Sequence, residues 1–82
     1  MELSNGSVKY YDPFSILIVN NLGKIRRLYT PFRVICLDNV GAIYQNSNLY
    51  VEEVFEDPDD RLLFKIGGNL YPYWYFSITV SF

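Results

Sequence analysis

The chain has 82 residues, enough for one domain with a small core, and half of them are hydrophobic, which excludes a disordered chain. Seven Lys and Arg against nine Asp and Glu leave a formal net charge of −2, which disfavours a phosphate-binding protein because that affinity rests on uncompensated cations. With no histidine and one cysteine, Cys36, neither a His-based catalytic centre, nor a Cys-rich zinc site, nor an intramolecular disulfide can form.

The N-terminal stretch MELSNGSVKYYD lacks the basic start and apolar run of a signal peptide. FSILIVN, Phe14 to Asn20, is too short to span a bilayer, so a soluble cytoplasmic chain without membrane contact is expected. The same run is apolar on both faces, and something must cover the second one, either this domain or another chain. The turn NNLG, Asn20 to Gly23, pairs FSILIVN with KIRRLY as an N-terminal hairpin, and Pro31 is the one seam before the rest. FRVICLDN follows, with Cys36 read as a small packed hydrophobe, then the loop YQNSN, Tyr44 to Asn48.

LYVEEVF leads through the acidic turn EDPDD, Glu56 to Asp60, into RLLFKI, where Leu62, Phe64 and Ile66 point inward. Gly67-Gly68 makes a tight hairpin turn into NLYP. From Phe76 to Phe82, Phe76, Ile78, Val80 and Phe82 face inward while Ser77, Thr79 and Ser81 face outward. No window carries helical periodicity, so the chain reads as all-β. Like charges occupy successive strand positions at Arg26-Arg27 and Glu52-Glu53, and a bulge is expected at each.

From Phe32 onward the order of elements resembles a small SH3-like barrel, with Pro72, Tyr75 and Phe76 where that pattern has its proline, binding-face tyrosine and first closing-strand apolar residue. The resemblance implies residues 32–82 as the barrel and residues 1–31 as a hairpin extension of a single domain, 1–82. Two segments, V-x-C-x-D-N-x-G at Val34 to Gly41 and Y-P-x-x-x-F-x-I at Tyr71 to Ile78, also resemble short uncharacterised bacterial and phage proteins. That likeness implies an accessory or inhibitory role against a host protein. The first strand reads ICLDN rather than an Ala-Leu-Tyr-Asp-Tyr-like run, and Arg61-Leu62 stands where a tryptophan opens the third strand, so proline-rich peptide binding is not implied.

The run YPYWYF sets four aromatics, Tyr73 to Phe76, behind Pro72. One short turn cannot aim all of them inward, so Tyr71, Tyr73, Trp74 and Tyr75 are the candidate partner-binding residues, although packing over an open end accounts for the same run. Lys24, Arg26, Arg27 and Arg33, interleaved with Tyr29 and Phe32, form a candidate secondary face for single-stranded nucleic acid; ordinary edge protection explains them equally well.

EEVFEDPDD lacks the spaced ligands and central glycine of a calcium loop, so neither metal nor cofactor is expected. No Ser or Cys has a histidine to activate it. The expected function is therefore non-catalytic binding of a protein partner, with a nucleic-acid-binding barrel or a structural subunit as alternatives. A homodimer through the N-terminal hairpin is expected from the two-faced apolar strand. Far-ultraviolet circular dichroism is expected to show β structure with little helix; a dominant helical spectrum would overturn the whole reading.

Overall fold

A computed structural model describes residues 7–80 of the chain. The architecture is all-β, three small antiparallel sheets. The first holds β1 (Ser7–Asp12), β2 (Ser15–Val19) and β3 (Ile25–Tyr29) in sequential order. The second places β4 (Phe32–Cys36) between β5 (Asn48–Val51) and β9 (Phe76–Ile78). The third is a meander of β6 (Glu53–Glu56), β7 (Leu62–Ile66) and β8 (Asn69–Pro72), followed by a 3₁₀ turn at Tyr73–Tyr75.

The N-terminal unit thus has three strands where a two-stranded hairpin was expected. SVKYYD alternates exposed and half-buried residues and pairs with β2, Val8 opposite Ile18 and Tyr10 opposite Ile16. Pro13-Phe14 turns the chain, and the Asp12 carboxylate secures the turn by accepting the Phe14 N–H at 2.8 Å. The Pro13 carbonyl accepts the Val54 N–H at 2.8 Å, which ties this turn to β6.

β2 and β3 pair without interruption from Ser15–Tyr29 to Val19–Ile25, so no bulge occurs at Arg26-Arg27. Arg26 is exposed and Arg27 half-buried, and neither enters the core, so alternation there needs no correction. The irregularity lies in β1, between Tyr10 and Asp12. At Glu52-Glu53 the chain leaves one sheet for the next. Glu52 Oε1 accepts the Gly68 N–H at 3.1 Å, and Glu53 pairs with Lys65 at 3.8 Å, so both carboxylates stay out of the core.

The expected closed barrel does not form. β8 and β9 are the free ends of two different sheets; Pro72 has no N–H to donate, and the 3₁₀ turn separates the strands. Gly67 and Gly68 both take positive φ, +58° and +83°, the conformation a two-residue hairpin turn requires. In β9 and beyond, Phe76, Ile78 and Val80 are buried as expected, but Ser77, expected outward, is buried opposite Ile35. The expected places of Ser81 and Phe82 lie outside the described residues.

One core serves all three sheets. Ile16 and Ile18 of β2 join Phe32, Val34 and Cys36 of β4, Val51, Val54, Leu62, Phe64 and Ile66, and Phe76, Ile78 and Val80. Phe64 is its hub, with ring centroids 5.4 Å from Phe32, 6.2 Å from Phe76 and 6.4 Å from Tyr73. Phe64→Ala is expected to destabilise the fold by about 3–5 kcal/mol in urea denaturation, enough to unfold much of the population. A loss under about 1 kcal/mol would show that the hub is misassigned.

Asp12 also joins β1 to β3. The Ser15 hydroxyl donates to Asp12 Oδ1 at 2.9 Å, while Arg27 donates from Nη2 to Asp12 Oδ2 at 2.9 Å and from Nε to Ser15 Oγ at 3.1 Å. The Phe14 N–H, then Ser15 and Arg27, hold the Asp12 pKa below its usual 3.8 against the opposing effect of burial. A depressed carboxylate pKa stabilises the fold above the unfolded value, and the effect disappears as pH falls through the folded value. Urea midpoints are therefore expected to fall below about pH 4, and Asp12→Asn is expected to lower the midpoint at neutral pH while flattening that acid loss. Equal acid sensitivity in the variant would contradict this role.

Candidate functional site

Three of the four aromatic candidates, Tyr73, Trp74 and Tyr75, adjoin one another, while Tyr71 meets Phe76. Tyr71, on β8, is half-buried, with its ring edge-on to Phe76 at 6.2 Å. Its other side meets the loop after β4. A Cβ on Gly41 would sit 3.1 Å from the Tyr71 ring, and Gly41 takes a positive φ of +55°, so glycine alone suits that contact.

Tyr73, Trp74 and Tyr75 form the 3₁₀ turn. Tyr73 turns back toward Phe64, and Tyr75 is half-buried against the core. Trp74 alone projects, 49% exposed, stacked on Tyr75 at 6.3 Å and edge-on to Tyr73 at 5.9 Å. The turn is closed by the Phe76 N–H donating to the Tyr73 carbonyl and anchored by the Leu37 N–H donating to the Tyr75 carbonyl at 2.7 Å. Leu37 is itself about half exposed, so the loop after β4 adds an aliphatic surface the sequence reading did not include. Its place beside the turn depends on a long-range backbone bond that no local pattern announces.

The four cations do not form one face. Lys24 lies in the turn after β2, exposed. Arg26 and Arg27 are successive residues of an unbroken ladder and point to opposite sides of β3, and Arg33 stands on β4 opposite Tyr50, in another sheet. Arg27 is engaged by Asp12 and Ser15, and its guanidinium lies 3.9 Å from the Tyr11 ring centroid and 4.9 Å from that of Tyr29. Tyr11 was not among the residues singled out from sequence; alternation from Lys9 puts it on this side, and the irregularity in β1 brings Asp12 there as well.

The acidic turn is largely self-contained. Asp57 accepts the Asp59 and Arg61 N–H groups at 2.9 Å each and the Arg61 Nε at 2.9 Å, and Arg61 also reaches Asp59. Cys36 is fully buried, with Sγ 2.8 Å from the Asp38 carbonyl. Among the described residues, no group of three or more His, Cys, Asp or Glu is placed to hold a metal, and no helix is long and apolar enough to cross a membrane. Compared with known protein families, curated proteins and solved structures, the chain matches none.

Proposed function

We propose that the chain is a non-catalytic, cytoplasmic protein-binding module whose partner seats on the platform of Tyr71, Tyr73, Trp74 and Tyr75. Trp74 carries the reading. Its indole stands half in water, yet neighbouring rings and two backbone hydrogen bonds fix the turn that bears it. A large apolar ring already held in place loses little freedom on binding, which is the character of an interface anchor.

An SH3-like strand arrangement, open rather than closed, belongs to the same proposal. The order β5-β4-β9 in one sheet and β6-β7-β8 in the other supports it, with β5 and β6 joined through Glu52 and the 3₁₀ turn between β8 and β9. The accessory or inhibitory role against a host protein rests on the resemblance of Val34 to Gly41 and Tyr71 to Ile78 to short bacterial and phage proteins. The nucleic-acid alternative has weaker support, because Lys24, Arg26, Arg27 and Arg33 are spread over a turn, two faces of one strand and a second sheet.

Two denaturation curves and one capture assay test the platform. Trp74→Ala is expected to cost about 1 kcal/mol or less in stability, and Phe76→Ala about 3–5 kcal/mol. A protein captured from the native host by the wild-type chain should bind the Trp74 variant at least ~2 kcal/mol more weakly. If Trp74→Ala unfolds the chain as Phe76→Ala does, or leaves capture unchanged, the platform is packing and the proposal fails.

A further inference from the structure

A cavity of about 370 Å³ opens between the first and third sheets, within the size range of sites that hold a ligand. Val8, Lys9 and Tyr10 of β1 line one side, Glu56 and Asp60 the other, with buried Leu62 between them. β1 and β6 are edge strands of different sheets. They are tied where the Val54 N–H donates to the Pro13 carbonyl, and the cavity lies beyond that bond, toward Val8 and Glu56. We infer that this cavity receives an extended segment of a partner protein, which pairs with β1 and sets a Lys or Arg side chain against Glu56 and Asp60.

The phase of the hydrogen bonds leaves this edge open. The Thr30 N–H donates to the Phe14 carbonyl and the Asn20 N–H to the Lys24 carbonyl, so Ile16 and Ile18 bond to β3 while Leu17 and Val19 bond to β1. Lys9 and Ser7, opposite Leu17 and Val19, take those bonds. Val8 and Tyr10 therefore turn their peptide groups away from β2, where they meet no backbone partner among the described residues. On β6 the Asp57 N–H bonds to the Arg61 carbonyl and the Val54 N–H leaves the sheet for Pro13, so the Glu56 peptide also faces outward, to the cavity. A segment laid antiparallel on β1 exchanges up to about four main-chain hydrogen bonds with Val8 and Tyr10.

The side chains select the occupant. Val8 and Tyr10 pack toward the core, and Glu56 stands across the ladder from Leu62, on the same side of its sheet. Residues of the added strand opposite Val8 and Tyr10 point the same way, into the cavity. A long basic side chain suits that position, because its methylenes cover Leu62 while its head group reaches the carboxylates. Among the described residues neither Glu56 nor Asp60 has an ion-pair partner, whereas Arg61 takes Asp57 and Asp59, and Lys65 takes Glu53. Lys9 also lines the cavity, but alternation turns its side chain with Leu17 to the outer face. An acidic segment would set its charge against the two carboxylates.

Amide chemical shifts of the isotope-labelled chain, titrated with the capped pentapeptide Thr-Lys-Thr-Val-Thr, test this. The largest changes are expected at Val8, Tyr10 and Glu56, with a dissociation constant of about 1 mM or below. Glu56→Gln combined with Asp60→Asn should weaken binding at least ~3-fold and flatten its dependence on salt. Both side chains are exposed, and Asn tolerates the positive φ of Asp60, so the fold should hold. Should that variant fail to fold, two altered peptides decide on the unchanged chain. Glu in place of the peptide's Lys, and methyl groups on its Lys and Val amide nitrogens, should each weaken binding at least ~10-fold. Trp74→Ala should leave the affinity unchanged, which separates this site from the aromatic platform. Equal binding of the Glu peptide, binding that survives methylation, shifts centred on Trp74, or no shifts at about 5 mM peptide overturns the inference.

Discussion

The structure depends on the burial of Phe64. A three-stranded sheet of three- to six-residue strands cannot exclude water from its own face, so each sheet here requires the others. Phe64 lies at the middle of β7 and is reached by a ring from β4, one from the 3₁₀ turn and one from β9. The second and third sheets share that contact, and Ile16 and Ile18 extend the same core under the first. Because Tyr73 is among those rings, the candidate platform is built directly onto the hub.

The N-terminal sheet follows a different logic. Its inner face completes the common core, while its outer face carries aliphatic and tyrosine side chains around Arg27, which Asp12 pairs, and the exposed Lys9. Asp12 serves three donors from two strands and a turn, so the polar atoms of that patch are satisfied within the chain. The acidic turn behaves likewise, with Asp57 binding its own loop. Asp12 and Asp57 thus both fix local geometry, while Lys9, Lys24 and Arg33 stand exposed.

Much of this was legible in the sequence where the signal is local. Gly67-Gly68 announced its turn, and the alternation of Leu62, Phe64 and Ile66 announced a buried face. At Glu52-Glu53 the conflict between like charges and alternation was legible, but it pointed to a bulge within one strand, whereas the chain there passes from one sheet to the next. β1 was not legible, because half of SVKYYD is polar or charged and the segment pairs only with β2. Ser77 misled because a small hydroxyl side chain tolerates burial on either face. The Asp12–Ser15–Arg27 cluster and the Leu37–Tyr75 bond join residues across different strands or loops, and residue-by-residue periodicity carries no trace of such contacts. The aromatic run was legible as an excess of rings over core positions; which ring projects was decided by the 3₁₀ turn.

Trp74 is the only tryptophan in the chain, and it stands on the turn rather than in the core. The protein therefore carries an optical reporter at its candidate site. Half in water and stacked on Tyr75, the indole should emit toward the red of a buried tryptophan, and a partner that covers it should move the emission to the blue. Eight tyrosines share the chain, two of them adjoining the indole, so excitation absorbed by phenol rings should pass to it by short-range transfer. Fluorescence from this chain is thus a local signal of the 3₁₀ turn. A melting curve followed by emission alone would report the loosening of that turn, and would coincide with loss of the core only if the two are one cooperative unit.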